Sequence, residues 1–83
     1  MNEVTYRTED RVTVREGDEV YDYYSMEPVI IGEPTGSPGW FNVLRPGSVT
    51  PETPRGVRAS AGMLDGSRIC TLGYARRRGF PGV

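Results

Sequence analysis

Glycine and proline interrupt this chain so often that no long regular helix can be written into it: eleven glycines and seven prolines stand among 83 residues. In a helix interior each glycine costs about 1 kcal/mol and each proline about 3 kcal/mol relative to alanine. The longest aliphatic run is Val29-Ile30-Ile31, which follows Pro28 and ends at Gly32. It is too short and too β-branched for a helix and reads as a buried strand. Strands and turns in a single domain are the expectation. A chain of this length buries only about 60 to 65% of its unfolded surface, so the core must be thin.

The remaining strands follow from apolar residues bounded by turn formers. Val12 and Val14 begin a strand that bends at Gly17, within the turn Glu16 to Asp18, and resumes at Val20. Residues 33–39 form a turn cluster, and Trp40 to Leu44 return as a hairpin partner of the aliphatic strand. Residues 45–56 hold three prolines and are expected as a long exposed loop. A fourth strand is expected over residues 57–61, a tight turn at Asp65-Gly66, and a fifth strand over residues 68–72. One helical turn is expected at residues 74–78, stopped by Gly79 and Pro81. Five short strands and one long excursion suggest a small antiparallel barrel, because closure removes the exposed edges of so short a sheet. Residues 1–10 are then an N-terminal extension or edge strand, 11–72 the barrel and 73–83 an arginine-rich tail.

The segments GDEVYDYY, the aliphatic strand, GWFNV and DGSRIC together resemble SH3-like small barrels of the KOW and Tudor kind, over residues 11–72. They are also similar to small uncharacterised actinobacterial and mycobacteriophage proteins. The stretch VYDYY resembles the Ala-Leu-Tyr-Asp-Tyr signature of peptide-binding SH3 domains. Here, however, Gly17 and Asp18 precede the tyrosines, and the closing Pro-x-Asn-Tyr-Val of that family is missing.

Composition narrows the function classes. There is no histidine, so the usual general base near neutral pH is missing, and the single cysteine, Cys70, cannot form an internal disulfide. Cys70 sits in an expected strand and reads as a small buried hydrophobe. No glycine pattern fits a phosphate loop, and the carboxylates Asp18, Glu19, Asp22 and Glu27 lack an evident substrate cleft. The chain is expected to be non-enzymatic, with no metal, no cofactor and no small-molecule substrate. The start MNEVTYRTEDR lacks the basic and apolar regions of a signal peptide, and no stretch approaches the roughly 18 apolar residues of a membrane span. A cytoplasmic location without membrane association is expected, in the host if the chain is phage-encoded.

All ten basic residues are arginine, with neither lysine nor glutamine present, which suggests a GC-rich genome. Residues 1–33 carry nine acids and three arginines, whereas residues 34–83 carry two acids and seven arginines. Neutralisation between paired strands is the simpler expectation, and separate acidic and basic faces the alternative. Two surfaces are candidates. The first is a tyrosine-rich acidic surface of Tyr21, Asp22, Tyr23, Tyr24, Glu27 and Trp40, suited to a protein partner that offers an arginine or a proline-rich segment, unless these rings are needed for the core. The second is the arginine set Arg76, Arg77, Arg78 and Arg68, whose flanking Tyr74 and Phe80 would suit nucleic acid, although a pI near 5.3 is low for that role. A structural subunit of a virion is a third reading, with the proline loop and both termini meeting neighbours.

Overall fold

The computed structural model describes residues 3–83. Seven strands and two short helical segments run in the order β1 (Thr5–Arg7), β2 (Thr13–Arg15), β3 (Glu19–Asp22), β4 (Glu27–Pro34), β5 (Trp40–Leu44), β6 (Arg58–Asp65), a 3-10 turn (Gly66–Arg68), β7 (Ile69–Cys70) and α1 (Leu72–Arg78). The fold is mainly β. One antiparallel sheet has the order β6-β5-β4-β3-β7, and β1 and β2 form a separate two-stranded sheet.

The expected closed barrel is not formed. The five-stranded sheet curls without hydrogen bonds between its edge strands β6 and β7. The N-terminal hairpin instead adds Tyr6 and Val14 to the core, beside Val20, Val29, Ile31, Phe41, Val43, Leu64 and Ile69. The curl is still strong enough for Ser60 Oγ on β6 to donate to Glu27 on β4, two strands away, at 2.9 Å. The bend at Gly17, with φ +94°, therefore divides two sheets instead of bulging one strand: β2 pairs with β1, and β3 with β4 and β7.

Several boundaries differ from those expected. β6 runs eight residues, four beyond the expected end at position 61, and β7 keeps only Ile69 and Cys70. The Asp65-Gly66 turn is a 3-10 turn whose first N–H groups are capped by Asp65, which accepts from the Ser67 N–H at 2.9 Å. The helix starts at Leu72, two residues early, because Thr71 caps it by accepting from the Tyr74 N–H at 3.2 Å. It ends where the Gly79 N–H reaches the carbonyls of Ala75 and Arg76.

β3 is covered on both faces. Val20 points into the main core, while Tyr21 packs with Cys70 and Ala75 beneath α1, where its ring stacks on Phe80 with centroids 5.6 Å apart. The Tyr21 hydroxyl donates to the Pro81 carbonyl at 2.5 Å. The C-terminal segment is thus a docked helix with Tyr23, Leu72, Tyr74 and Phe80 packed around the second small core.

Charge between the two halves of the chain is not settled by direct pairing. Among the described residues the ion pair formed joins Arg15 to Glu3 at 3.3 Å, and both belong to the acidic half.

Tyr6 gives a test of core chemistry. Its ring lies 4.6 Å from that of Phe41, but its hydroxyl is buried with no hydrogen-bond partner among the described residues. Burial, followed by the Glu16 charge, pushes this hydroxyl's pKa up and keeps it protonated. An unpaired buried hydroxyl costs about 1–3 kcal/mol. Tyr6→Phe keeps the ring contact and is expected to raise stability by about 1 kcal/mol in urea denaturation. A loss of that size would show that the hydroxyl finds a partner in solution.

Candidate interaction site

Tyr23, Tyr24, Trp40 and Arg68 meet at the surface from three elements. The turn after β3 carries the tyrosines, β5 begins at Trp40, and the 3-10 turn ends in Arg68. Asp22 holds the first of these turns: its carboxylate accepts from the Tyr24 N–H at 2.9 Å and from Ser25 Oγ. Such closure of an aspartate onto the backbone two residues ahead is a common turn device. The 3-10 turn is locked to the same patch because the Tyr23 hydroxyl donates to the Ser67 carbonyl. Trp40 is placed opposite Asp65 by the β5–β6 ladder, at the edge of that turn.

The guanidinium of Arg68 lies 4.7 Å from the Tyr24 ring centroid and 5.8 Å from that of Trp40. The rings of Tyr23 and Tyr24 are 5.4 Å apart at 45°. Cation–π contacts at such exposed positions contribute on the order of 0.5–1 kcal/mol each. They also fix the orientation of a long side chain that would otherwise be mobile. Tyr24 is 64% exposed, so it adds little to the core. Tyr23 is partly buried, and its hydroxyl pKa is raised by burial first and then by the Glu9 charge, against which Arg68 acts. The cluster can present two aromatic faces and an oriented guanidinium fork, a combination that receives carboxylates bidentately.

The six residues expected on the tyrosine-rich surface do not all lie there. Tyr21 and Asp22 are fully buried, one under α1 and one inside its turn, because β3 is enclosed on both sides. A partner cannot touch either. Glu27 is partly buried and engaged by Ser60. Tyr23, Tyr24 and Trp40 remain at the surface, joined by Arg68 from the expected arginine set.

That set is divided. Arg76, Arg77 and Arg78 are exposed on the last turn of α1, where positive charge complements the helix C-terminus. The Arg78 guanidinium lies 5.7 Å from the Tyr74 ring centroid. None of the three forms an ion pair among the described residues.

Sequence reasoning missed the stacking of Arg68 altogether. Its ring partners lie 44 and 28 positions earlier in the chain, and no local pattern joins them. It also missed a groove of about 440 Å³ on the outer face of β4 and β5, between Ile30, Leu44, Val49 and Pro54. The signal was present: Ile30 alternates with Val29 and Ile31, so it must face away from them. The proline loop folds back over this outer face, where a Cβ added to Gly56 would lie 3.1 Å from both Leu44 and Val49.

Cys70 is fully buried in β7, and burial, then Asp10 and Glu9, push its thiol up to about 11. Among the described residues no three His, Cys, Asp or Glu side chains group as a metal site would need. No helix among them is long and apolar enough to cross a membrane. No protein-family model, curated protein or solved structure matches the chain.

Proposed function

We propose that this chain is a small non-catalytic interaction module of the SH3-like kind, phage or actinobacterial in origin, that binds a protein partner through Tyr23, Tyr24, Trp40 and Arg68. The observation that carries this reading is Arg68 held over Tyr24 and Trp40 at the surface. Tyrosine, tryptophan and arginine dominate binding energy at protein interfaces because they offer large rigid area together with directed polar contacts. A partner segment with a carboxylate for Arg68 and an apolar or proline-containing stretch for the rings fits best. If the chain is phage-encoded, the partner is a host protein. The arginine-only basic set supports the GC-rich source, and the curled sheet is compatible with a small-barrel relationship.

A second reading, nucleic-acid binding, rests on the exposed Arg76, Arg77 and Arg78 beside Tyr74. One experiment separates the two. The immobilised chain is used to capture protein and nucleic acid from an actinobacterial lysate, with each variant first shown to unfold at the wild-type urea midpoint. Tyr24→Ala and Arg68→Ala are each expected to reduce the captured protein at least about tenfold, while combined alanine replacement of Arg76, Arg77 and Arg78 leaves it unchanged. Capture indifferent to Tyr24 and Arg68 rejects the ring-surface reading. Captured nucleic acid that is lost with the three arginines, with a flatter salt dependence, supports the second.

A further inference from the structure

The five-stranded sheet ends at β6. β6 pairs only with β5, and among the described residues no backbone group of Arg58 to Asp65 bonds to any other element. An edge of eight residues with no proline, and no charge between its end residues, is a template for another strand.

Natural edges are often blunted by a bulge, and β6 has one. Between the pairs Asn42–Met63 and Leu44–Arg58 the register slips, and Gly62 sits at φ +73°, a conformation that favours glycine. Here the bulge has a second consequence. Along a regular strand Ala59 and Leu64, five positions apart, would point to opposite faces. Across the irregular stretch both are buried, Ser60 and Met63 are both exposed, and Ala61 and Gly62 at the centre are alike. Burial along β6 therefore reads nearly the same in both directions.

We propose that β6 pairs antiparallel with β6 of a second copy of this chain about a two-fold axis between Ala61 and Gly62. Two copies related in this way share a self-complementary interface, each position meeting its mirror position. Arg58 then faces the partner copy's Asp65, and Asp65 the partner copy's Arg58. Ala59 meets Leu64 on the inner face, and Ser60, whose Oγ donates to Glu27, meets Met63. The ladder forms in two short halves, residues 58–60 of one copy against 63–65 of the other, on either side of the central bulges. Met63, 50% exposed in the single chain, is partly covered in the pair.

The charges at the two ends are available for this. Arg58 donates one N–H to Asn42 Oδ1 at 2.6 Å and keeps further donors, while Asp65 uses Oδ1 for the Ser67 N–H and keeps Oδ2. Opposite charges on facing strand positions stabilise pairing, and like charges oppose it. Any other antiparallel register sets Arg58 opposite a neutral residue, opposite Arg58 of the second copy, or beyond the strand end. The dimer edge meets the ring cluster at Asp65, which faces Trp40 across the β5–β6 ladder and caps the 3-10 turn, so Arg58→Glu, at the other end of β6, is the variant that separates the dimer from the partner site.

The test is a concentration series of the full chain by analytical ultracentrifugation. The wild type is expected to show a reversible monomer–dimer equilibrium. Arg58→Glu sets two acids against Asp65 at both ends of the interface and is expected to weaken the dimer at least about tenfold. Asp65→Arg alone is likewise expected to be monomeric, and an equimolar mixture of the two variants is expected to restore a dimer of one copy of each. Should Asp65→Arg fail to fold, Arg58→Glu, with its fold checked by circular dichroism, decides the matter by itself. A wild type that stays monomeric at millimolar concentration overturns the proposal, as does a dimer unaffected by Arg58→Glu.

Discussion

Phe41→Ala is expected to lower stability by about 3–5 kcal/mol, the range for removing a fully buried phenylalanine. Phe41 is completely buried in β5 and lies on Tyr6 of the N-terminal hairpin, with Leu64 opposite it on β6. Its ring therefore bridges the two sheets. A domain of this length has roughly 4–12 kcal/mol in total, at about 0.05–0.15 kcal/mol per residue. The substitution removes about a quarter of that margin or more. With a urea m-value of about 1 kcal/mol/M, the midpoint should fall by about 3 M or the native baseline should vanish. Val57→Ala, at a side chain 47% exposed, provides the control and should stay within about 0.5 kcal/mol of the wild type. A Phe41→Ala midpoint near the control would mean that the hairpin does not pack on the curled sheet.

The parts of this fold that local chemistry announces are those with a strong pattern between strong punctuation. The aliphatic run after Pro28 and the Trp40 to Leu44 segment became β4 and β5, the centre of the sheet, because the turn residues between them leave one economical connection. β1 has only three residues, and its role depends on Tyr6 finding Phe41, 35 positions away. Closure failed as an expectation for the same reason: whether two edges meet or a hairpin fills the gap depends on long-range packing. For β3, alternation placed Tyr21 and Tyr23 on one face, and helix α1 then covered that face and buried Tyr21. Three of the six expected partner-facing residues lie in the surface cluster, and Arg68 came to them from the other expected set. An arginine stacked on rings from two other elements leaves no trace in its own neighbourhood.

Asp10→Ala is expected to cost about 2–4 kcal/mol, because its carboxylate ties the N-terminal segment to the cap of α1. Oδ1 accepts from Thr8 Oγ1 at 2.7 Å and from the Thr71 N–H at 3.0 Å, while Oδ2 accepts from Thr71 Oγ1 at 2.6 Å. Hydrogen bonds to a charged group contribute about 1.5–3 kcal/mol each and are not additive when they share one acceptor group. Thr71 in turn caps the helix that covers Tyr21, so loosening this point exposes the second small core. Burial alone would raise the Asp10 pKa, but the bonds from Thr71 and Thr8 outweigh it and hold the carboxyl below its ordinary 3.8. A carboxyl depressed in the folded state adds stability above its unfolded pKa, and that contribution is lost as pH falls through the folded value. The stability difference between the wild type and Asp10→Asn should therefore be full at pH 7 and shrink below about pH 4, as the wild-type carboxyl takes up its proton. Urea midpoints of both proteins between pH 7 and pH 2.5 provide the measurement, the shared titration of the other acids cancelling in the difference. A difference that stays constant across that window would mean the folded carboxyl is not held down by its bonds to Thr71.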